Sequence, residues 1–368
     1  MIKLLTKTLV SVLVVSSITT MPVAACTGLT LKAADGSVVF GRTLEWGTFD
    51  LNSRLVIVPR GHEYKSRVGD DVTGIVWRTV YGAVGFDVLE KDHIQDGMNE
   101  KGFCANVFYH PGFAEYAKLD PEKSASFIEA LDVCQYLLTT CATIEDAKKA
   151  MAAVTVVGVL EPAIGIAPPI HLMVTEPTGQ AMVIEFTKGV TTFHDAPLGV
   201  ITNAPNYDWH MTNLRNYLNL SAVALPGKEI DDLNFKPLGA GSGMIGLPGD
   251  FTPPSRFVRA VAFAKTARPT ETGLETMYEM FRILDNFNLP LGAAEGDGSL
   301  KTKGMRSSTI WTTGYDTKNL ILQYHTQHNR RIRQVDLKKI DFDAPEQLFY
   351  LPLDKEKKQD IEDVTPGD

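Results

Sequence analysis

The sequence has few cysteines, fewer basic than acidic residues, and no long uninterrupted apolar run. Its four cysteines are too few for the disulfide framework of a small exported scaffold. Lys and Arg total 36 against 44 Asp and Glu, and the net charge of −8 disfavours nucleic acid or an anionic membrane as a partner. The apolar run at residues 9–18 contains three serines and is shorter than the roughly 20 residues that a membrane helix requires. We therefore expect a small molecule or another protein as the partner.

A single domain is predicted, because the sequence shows no internal repeat, no low-complexity segment and no Pro-, Gly- or Ser-rich linker. The predicted domain covers residues 26–353, between a signal peptide at residues 1–25 and a charged tail at residues 354–368. Cys134 and Cys141 fall in a predicted helical segment, where about 10 Å would separate them, too far for a disulfide bond. We interpret both as core residues.

A secretory signal peptide is predicted at the N-terminus. Lys3 and Lys7 supply positive charge, an apolar segment follows, and the small side chains of Val23 and Ala25 suit cleavage after Ala25. Cleavage there would make Cys26 the first residue, so that one amino acid would carry both a thiol nucleophile and an α-amine base. The chain is therefore expected to be exported, either to a periplasm or to the medium.

Two other interpretations of Cys26 remain open. Residues 23–26 also resemble the lipobox of a bacterial lipoprotein, in which the cysteine is lipidated and its amine is blocked, and the product would be a lipid-anchored binding protein. Against this, residues 27–31 enter a strand pattern at once and leave no flexible tether between a membrane and the fold. Cys26 could also be an ordinary buried or disulfide-bonded cysteine.

Hairpin patterns predict antiparallel sheets. Strand-like alternation in residues 27–31 and 37–44 flanks Asp35 and Gly36, a two-residue turn signal. Two further strand pairs are predicted at residues 171–176 with 181–187 and 308–313 with 319–324. Helical patterns occupy residues 127–138, 147–153, 256–267 and 273–287. Because the helices stand between groups of strands instead of alternating with single strands, the sequence predicts an α+β fold with antiparallel sheets covered by helices.

The predicted first hairpin brings two charged residues close to Cys26. With residues 35–36 as the loop, Cys26 lies opposite Glu45, and Arg42 is close by. A nearby arginine lowers the pKa of a thiol by stabilising the reactive thiolate. A carboxylate can orient the α-amine so that it transfers a proton near neutral pH. Arg42 and Glu45 are therefore candidate catalytic residues, although the same pair on an ordinary hairpin would be a cross-strand ion pair.

Six segments of the sequence carry a family resemblance. They are residues 26–29 (CTGL), 41–46 (GRTLEW), 97–102 (GMNEKG), 202–209 (TNAPNYDW), 246–250 (GLPGD) and 255–260 (SRFVRA). In this order they resemble the choloylglycine hydrolase family, which joins bile salt hydrolases and penicillin V acylases within the N-terminal nucleophile (Ntn) hydrolases. The resemblance implies a four-layer αββα sandwich with two antiparallel sheets, and hydrolysis of a linear amide that is not a peptide.

The resemblance implies a role for each matching residue. Cys26 matches the nucleophile of the family, and Arg42 matches the arginine beside it. Asn203 matches the asparagine whose side chain helps to hold the oxyanion, and Arg256 matches the second active-site arginine. Sequence patterns alone would make Asn203 a turn residue and Arg256 a surface residue at a helix start. Glu45 stands where the family usually has the shorter Asp.

Two aromatic residues are expected at the substrate pocket. Tyr109 falls where bile salt hydrolases tend to carry Asn and penicillin V acylases Tyr, and the resemblance makes its backbone N–H the second oxyanion donor. Trp46 follows Glu45 directly, and Tyr109 lies in an apolar stretch. Both side chains are expected to line the pocket that receives the substrate.

The chemistry implied by the resemblance is attack on an amide carbonyl by the Cys26 thiolate, followed by hydrolysis of an acyl thioester without a cofactor. No metal site is predicted, because His325 and His328 are three residues apart on a predicted strand and point to opposite faces. Conjugated bile salts are the first expected substrates, with penicillin V and acyl-homoserine lactones as alternatives. The resemblance also implies a homotetramer.

Overall fold

The computed structural model describes residues 24–47, 49–294, 308–343 and 347–366. In these ranges the chain forms twenty strands and five α-helices. The strands are β1 (Ala24–Lys32), β2 (Val38–Trp46), β3 (Arg54–Val58), β4 (Glu63–Gly69), β5 (Val72–Arg78), β6 (Ala83–Asp87), β7 (Ile94–Asn99), β8 (Cys104–Tyr109), β9 (Phe127–Glu129), β10 (Thr155–Val157), β11 (Ile170–Thr175), β12 (Ala181–Thr187), β13 (Val190–Asp195), β14 (Val200–Ile201), β15 (Lys228–Ile230), β16 (Leu233–Phe235), β17 (Ser308–Asp316), β18 (Ile321–Thr326), β19 (Arg333–Asp336) and β20 (Phe349–Pro352). The helices are α1 (Val133–Thr140), α2 (Ile144–Ala152), α3 (Tyr207–Asn213), α4 (Pro253–Thr266) and α5 (Gly273–Leu284). Of the predicted signal peptide, residues 1–23 lie outside the described residues.

Two antiparallel sheets form the centre of the described chain. One has six strands in the order β14-β1-β2-β17-β18-β19, and the other has eight in the order β13-β12-β11-β8-β7-β6-β3-β20. The three predicted hairpins appear as β1–β2, β11–β12 and β17–β18. The antiparallel character predicted from the hairpin patterns is therefore confirmed.

The two sheets pack face to face. The ring of Phe86 on β6 stacks on that of Trp311 on β17, with 5.2 Å between the ring centroids. The hydroxyl of Tyr315 on β17 donates to Asp96 on β7 at 2.5 Å. Aromatic packing and a buried hydrogen bond thus join the sheets across the central interface.

Helices cover the outer faces of both sheets. Helix α5 lies so close to β2 that a Cβ atom on Gly41 would stand 2.5 Å from Met280, and α1 lies close enough to β7 that a Cβ atom on Gly97 would stand 3.0 Å from Leu138. Both glycines permit the close approach of a helix to a strand. The layers follow the order helix, sheet, sheet, helix, which confirms the predicted αββα sandwich. None of the helices in the described ranges is both long and apolar enough to cross a membrane.

The helix predicted for residues 127–138 is wrong in its first half. Residues 127–129 form β9, which pairs in parallel with β10, and α1 begins only at Val133. Pairing with a distant strand satisfies backbone groups that a helix would have used, so tertiary contacts override the local pattern. Helix α1 ends before Cys141, and both Cys134 and Cys141 are buried with free thiols, as expected for core residues.

The first residue of the predicted C-terminal tail, Asp354, is attached to the fold. Asp354 accepts hydrogen bonds from Arg333 at 2.5 Å and from Thr326 at 2.8 Å. Residues 355–366 beyond it are exposed.

Candidate active site

The loop of the first hairpin is one residue longer than the sequence predicts. The N–H of Ala33 donates to the carbonyl of Ser37 at 2.8 Å, which leaves residues 34–36 as the loop. Gly36 has a φ of +84°, in the left-handed region that a three-residue hairpin loop requires at this position. The predicted loop of residues 35–36 is therefore wrong, and the strand register shifts by one residue.

The observed register changes which residues face each other near Cys26. Cys26 pairs with Leu44, whereas Glu45 pairs with Ala25, the residue that the predicted cleavage would remove. Because side chains alternate along a strand, Arg42 and Leu44 share the Cys26 face toward the eight-stranded sheet, and Glu45 points toward the helix layer. The predicted pairing of Cys26 with Glu45 is corrected, although both residues remain adjacent.

Cys26 is buried and contacted by charged and polar groups. Its N–H donates to Asn203 Oδ1 at 2.7 Å, and its carbonyl accepts a hydrogen bond from Arg256. Burial raises the pKa of the Cys26 thiol above its ordinary value, and the positive charges of Arg42 and Arg256 oppose this rise. The carboxylate of Glu45 adds to the rise, while the Glu45 N–H lowers the pKa by donating to the sulfur.

Arg42 is a buried cation fixed between the sheets. Its Nη1 donates to the carbonyl of Val107 at 2.6 Å, and its guanidinium carbon lies 4.5 Å from the centroid of the Phe108 ring. Asp96 Oδ1 lies 3.9 Å from Nη1. Nη2 has no hydrogen-bond partner within the described part of the chain. The guanidinium is thus held in place while one of its nitrogens remains available.

We expect Arg42→Leu to slow alkylation of Cys26 by iodoacetamide at neutral pH by about tenfold, because the loss of a nearby cation raises the thiol pKa by roughly one unit. The measurement is the rate of modification of the peptide that contains Cys26, followed across pH. Arg42→Lys keeps the charge and should retain most of the reactivity. An unchanged pH profile in the leucine variant would show that Arg42 does not act on the thiol.

Asn203 connects the other candidate residues. It follows β14, and its Oδ1 accepts hydrogen bonds from the Cys26 N–H at 2.7 Å and from Arg256 Nη2 at 2.6 Å. Its Nδ2 donates to the carbonyl of Tyr109 at 2.7 Å. Arg256, on α4, also donates to the hydroxyl of Thr27 at 2.8 Å. The structure thus brings together residues that are up to 230 positions apart in the chain.

The backbone N–H and carbonyl of Tyr109 are directed toward Asn203. Ile170 on β11 is the residue opposite Tyr109, but the Ile170 N–H donates to the Tyr116 hydroxyl. The Tyr109 carbonyl accepts a hydrogen bond from Asn203 Nδ2 instead. Because the N–H and C=O of one residue in a strand point to the same side, the Tyr109 N–H is directed to the side of Asn203. The role of this N–H as a donor to the oxyanion stays a prediction.

Glu45 keeps one carboxylate oxygen free. Oε1 accepts a hydrogen bond from the Thr309 hydroxyl at 2.9 Å, and Oε2 has no partner among the described residues. Burial raises the pKa of Glu45 to about 7, and the positive charge of Arg256 opposes this rise. After cleavage, an α-ammonium group on Cys26 would favour the carboxylate form of Glu45.

Histidines that the sequence reasoning missed hold the segment that carries Asn203. His171 Nε2 donates to the carbonyl of Thr202 at 3.1 Å, and His210 Nε2 donates to the carbonyl of Asn203 at 2.9 Å. Glu185 accepts from the backbone N–H of Tyr207 at 2.8 Å. These contacts fix the turn from both sides. They join β11, β12 and α3, so no local sequence pattern could have indicated them.

His110, His171 and Glu185 lie close enough together to contact one cation. The imidazole rings of His110 and His171 are stacked, with 4.1 Å between centroids and 1° between planes. Tetrahedral zinc requires ligand lone pairs that converge on one point. The nitrogen lone pairs of two stacked rings lie in parallel planes and do not converge. The cluster therefore has the geometry of a packed polar core and not of a metal centre.

An apolar cavity opens beside Cys26. It contains about 660 Å³ of space free of protein atoms, its open mouth included. The lining residues are Cys26, Leu44, Glu45, Trp46, Phe49, Leu51, Val88, Leu89, Gln95, Val107, Tyr109, Leu131, Glu161, Ile164, Pro168 and Ile170. Trp46 and Tyr109 pack edge to face, with 6.0 Å between their centroids. Both residues line this cavity, and their contact with the substrate stays a prediction.

Two antiparallel sheets flanked by helices, with a buried cysteine held by Asn203 and Arg256, define an Ntn hydrolase fold. A family model described as linear amide C–N hydrolases, choloylglycine hydrolase family, matches residues 26–350. The chain belongs to this family, and it is a hydrolase of C–N bonds in linear amides.

Relatives and solved structures agree with this assignment. A bile salt hydrolase/transferase of Clostridium perfringens is 32% identical over 333 residues, covering 88% of this chain and 96% of that protein. The penicillin V acylase of Pectobacterium atrosepticum is 27% identical over 323 residues, covering 83% of this chain and 78% of that protein. A crystal structure of the conjugated bile acid hydrolase of C. perfringens superimposes with a TM-score of 0.77 at 28% identity, covering 92% of this chain and 100% of that one.

Proposed function

We propose that this protein is an exported amidohydrolase in which Cys26, freed as the N-terminal residue, attacks the substrate carbonyl. The observation that carries the proposal is the convergence of Asn203 and Arg256 on the backbone of Cys26, which lines an apolar cavity. The cavity can take an acyl group while the cysteine meets its carbonyl carbon.

The proposed reaction proceeds in two steps. The Cys26 thiolate adds to the amide carbonyl carbon, and the negative charge moves to the carbonyl oxygen, where Asn203 Nδ2 and the Tyr109 N–H donate to it. The tetrahedral intermediate expels the amine, which takes a proton from the α-ammonium group, and an acyl thioester remains. Water then adds to the thioester and gives a proton to the α-amine, and the carboxylic acid leaves the Cys26 thiolate and the α-ammonium group, with which the next cycle begins.

Conjugated bile salts are the proposed substrates, because the C. perfringens relatives are named for them and the cavity wall is largely apolar. Penicillin V is the second candidate, favoured by Trp46 and Tyr109, on which a flat aromatic acyl group could stack. Acyl-homoserine lactones are the third. A panel of taurocholate, glycocholate, penicillin V and one acyl-homoserine lactone, compared by kcat/KM, distinguishes these substrates.

The proposed role of the free amine has a matched control. A chain that begins at Cys26 should hydrolyse the preferred substrate, whereas a chain that begins at Ala25 should not, because an amide nitrogen cannot accept the proton. Activity in the longer chain, with its mass confirmed, would contradict the role of the amine. The mass of the exported protein also tests the lipoprotein alternative, since diacylglyceryl addition at Cys26 raises the mass well above that of the unmodified chain.

We expect Glu45→Gln to reduce hydrolysis by about 10²-fold and Glu45→Asp to be tolerated, because the proposed role requires a negative charge beside the amine more than a fixed side-chain length. Steady-state kinetics on the purified chains that begin at Cys26 measures the effect. Thr309→Val removes the hydrogen bond to Oε1 and leaves the charge, so its effect should be smaller. Full activity in the glutamine variant would limit Glu45 to a structural role.

We also propose that the protein forms a homotetramer through an exposed apolar surface around the β15–β16 hairpin. The exposed apolar side chains here, each at least 48% exposed, are Leu218, Val223, Leu225, Ile230, Leu233, Phe235, Leu238 and Ile245. An apolar surface of this extent is typical of an interface with another protein, and the family resemblance indicates a second copy of the chain.

We expect the double substitution Leu233→Lys and Phe235→Lys to convert the oligomer to smaller species in sedimentation equilibrium, because charges would replace apolar contacts at the interface. Val76 and Val80 are similarly exposed at 52% and 54% but lie on or next to β5. The same double lysine substitution there is the control and should leave the molecular mass unchanged. A tetramer that survives the hairpin substitution would exclude this surface as the interface.

A further inference from the structure

Besides Glu45 Oε2, which the proposed function assigns to the α-amine of Cys26, three polar side-chain atoms of residues that line the apolar cavity have no hydrogen-bond partner among the described residues. They are Trp46 Nε1, Gln95 Oε1 and Tyr109 Oη. The three residues are at most 8% exposed. A buried polar atom without a partner destabilises the folded state, so a native structure that keeps such atoms needs an explanation. Their position in the substrate cavity points to a ligand that supplies the missing partner.

The side-chain amide of Gln95 has only one orientation that fits its surroundings. Nε2 donates to the carbonyls of Leu131 at 3.0 Å and His93 at 3.3 Å, and both partners are acceptors only. A flipped amide would set oxygen against oxygen at both contacts. The amino end is therefore bound to the wall, and Oε1 is the end that a ligand can reach.

The hydrogen-bonding character of the three atoms defines the ligand. Gln95 Oε1 only accepts, so the ligand must present a donor. Trp46 Nε1 only donates, and Tyr109 Oη can do either, so the ligand must also present an oxygen. No cationic side chain lines the cavity among the described residues, which disfavours an anionic group on the acyl part. A hydroxyl group on an apolar body meets all these requirements.

We propose that the cavity selects acyl groups that carry a hydroxyl, and that Gln95 is the residue that determines this selectivity by accepting a hydrogen bond from it. The inference rests on the proposed amide hydrolysis, with the acyl group in this cavity. An unsubstituted acyl group would still bury apolar surface there, but it would leave Gln95 Oε1 without a partner. A site with buried polar groups discriminates against an analogue that lacks the matching hydroxyl more strongly than an apolar pocket discriminates by size.

The test compares the glycine conjugates of cholic acid and 5β-cholanic acid, which share the steroid body and its side chain, and of which only cholic acid carries hydroxyl groups. The measured quantity is the ratio of the two kcat/KM values for each enzyme. Because it is a ratio within one enzyme, a general loss of activity or folded fraction cancels. We expect the native chain to favour the hydroxylated conjugate by about tenfold, and Gln95→Met to reduce the ratio to near one.

Gln95→Glu supplies the matched comparison. Like methionine, glutamate cannot donate to Leu131 and His93, but it keeps an oxygen at the end of the side chain, so it should retain the preference for the hydroxylated conjugate. A preference that persists in Gln95→Met, or a native ratio near one, would overturn the inference while leaving amide hydrolysis intact. Failure of the native chain to cleave either conjugate or any other amide of the panel would instead overturn the proposed function.

Discussion

Cys26→Ala is expected to abolish amide hydrolysis and to leave the fold unchanged. The side chain that is lost is small, and the contacts of the Cys26 backbone with Asn203 and Arg256 do not depend on the sulfur. The free energy of unfolding should fall by only about 1 kcal/mol, as for an ordinary buried truncation of this size. Turnover should fall below detection, because the proposed thioester requires the Cys26 thiol, and no other cysteine lines the cavity among the described residues.

Cys141→Ala is the control for this prediction. Cys141 is equally buried but lies beyond the end of α1, among residues packed on the far face of the eight-stranded sheet. Its replacement should have a similar effect on thermal unfolding and no effect on kcat. Measurable turnover by a purified, folded Cys26→Ala chain would show that another residue attacks the substrate.

Asn203→Ala is expected to lower kcat by about 10²- to 10³-fold with a small effect on KM, because one of the two proposed oxyanion donors is removed. The same substitution also removes the acceptor for the Cys26 N–H and for Arg256, so the nucleophile would be held less firmly. Single-turnover kinetics should place the loss in the acylation and deacylation steps and not in substrate binding.

Asn206→Ala provides a control in the same turn. Asn206 precedes α3, and its side-chain oxygen has no partner within the described ranges. Its replacement should change kcat by less than about threefold. If Asn203→Ala instead raised KM and left kcat unchanged, Asn203 would be a residue that binds the substrate and not one that stabilises the transition state.

Local sequence patterns predicted the strand pairs well and their register less well. The first hairpin forms where the pattern indicates, but Ala34 joins Asp35 and Gly36 in the loop, because a three-residue loop with glycine at positive φ also satisfies the turn signal. One residue of difference is enough to move Glu45 from opposite Cys26 to opposite Ala25.

The remaining site residues show the limit of local reasoning. Asn203 and Arg256 reach Cys26 from 177 and 230 positions away, and only the motifs that resemble a known family indicated them. His171 and Gln95 belong to no motif, and their roles depend on contacts between strands and helices that close only in the folded chain. The pattern of polar and apolar residues specifies the layers of the fold, whereas the site depends on contacts made across those layers.

The central proposal is that the free N-terminal Cys26 carries the acyl group during turnover. The most direct measurement is mass spectrometry of the active enzyme, quenched in acid during turnover of its preferred amide and then digested with pepsin at acid pH, where the protonated α-amine cannot take the acyl group from sulfur. We expect an N-terminal peptide that begins with Cys26, carries the mass of the acyl group, and loses it on treatment with hydroxylamine, as a thioester does. An acyl group on any other residue, or an active chain whose N-terminal peptide begins before Cys26, would contradict the proposal.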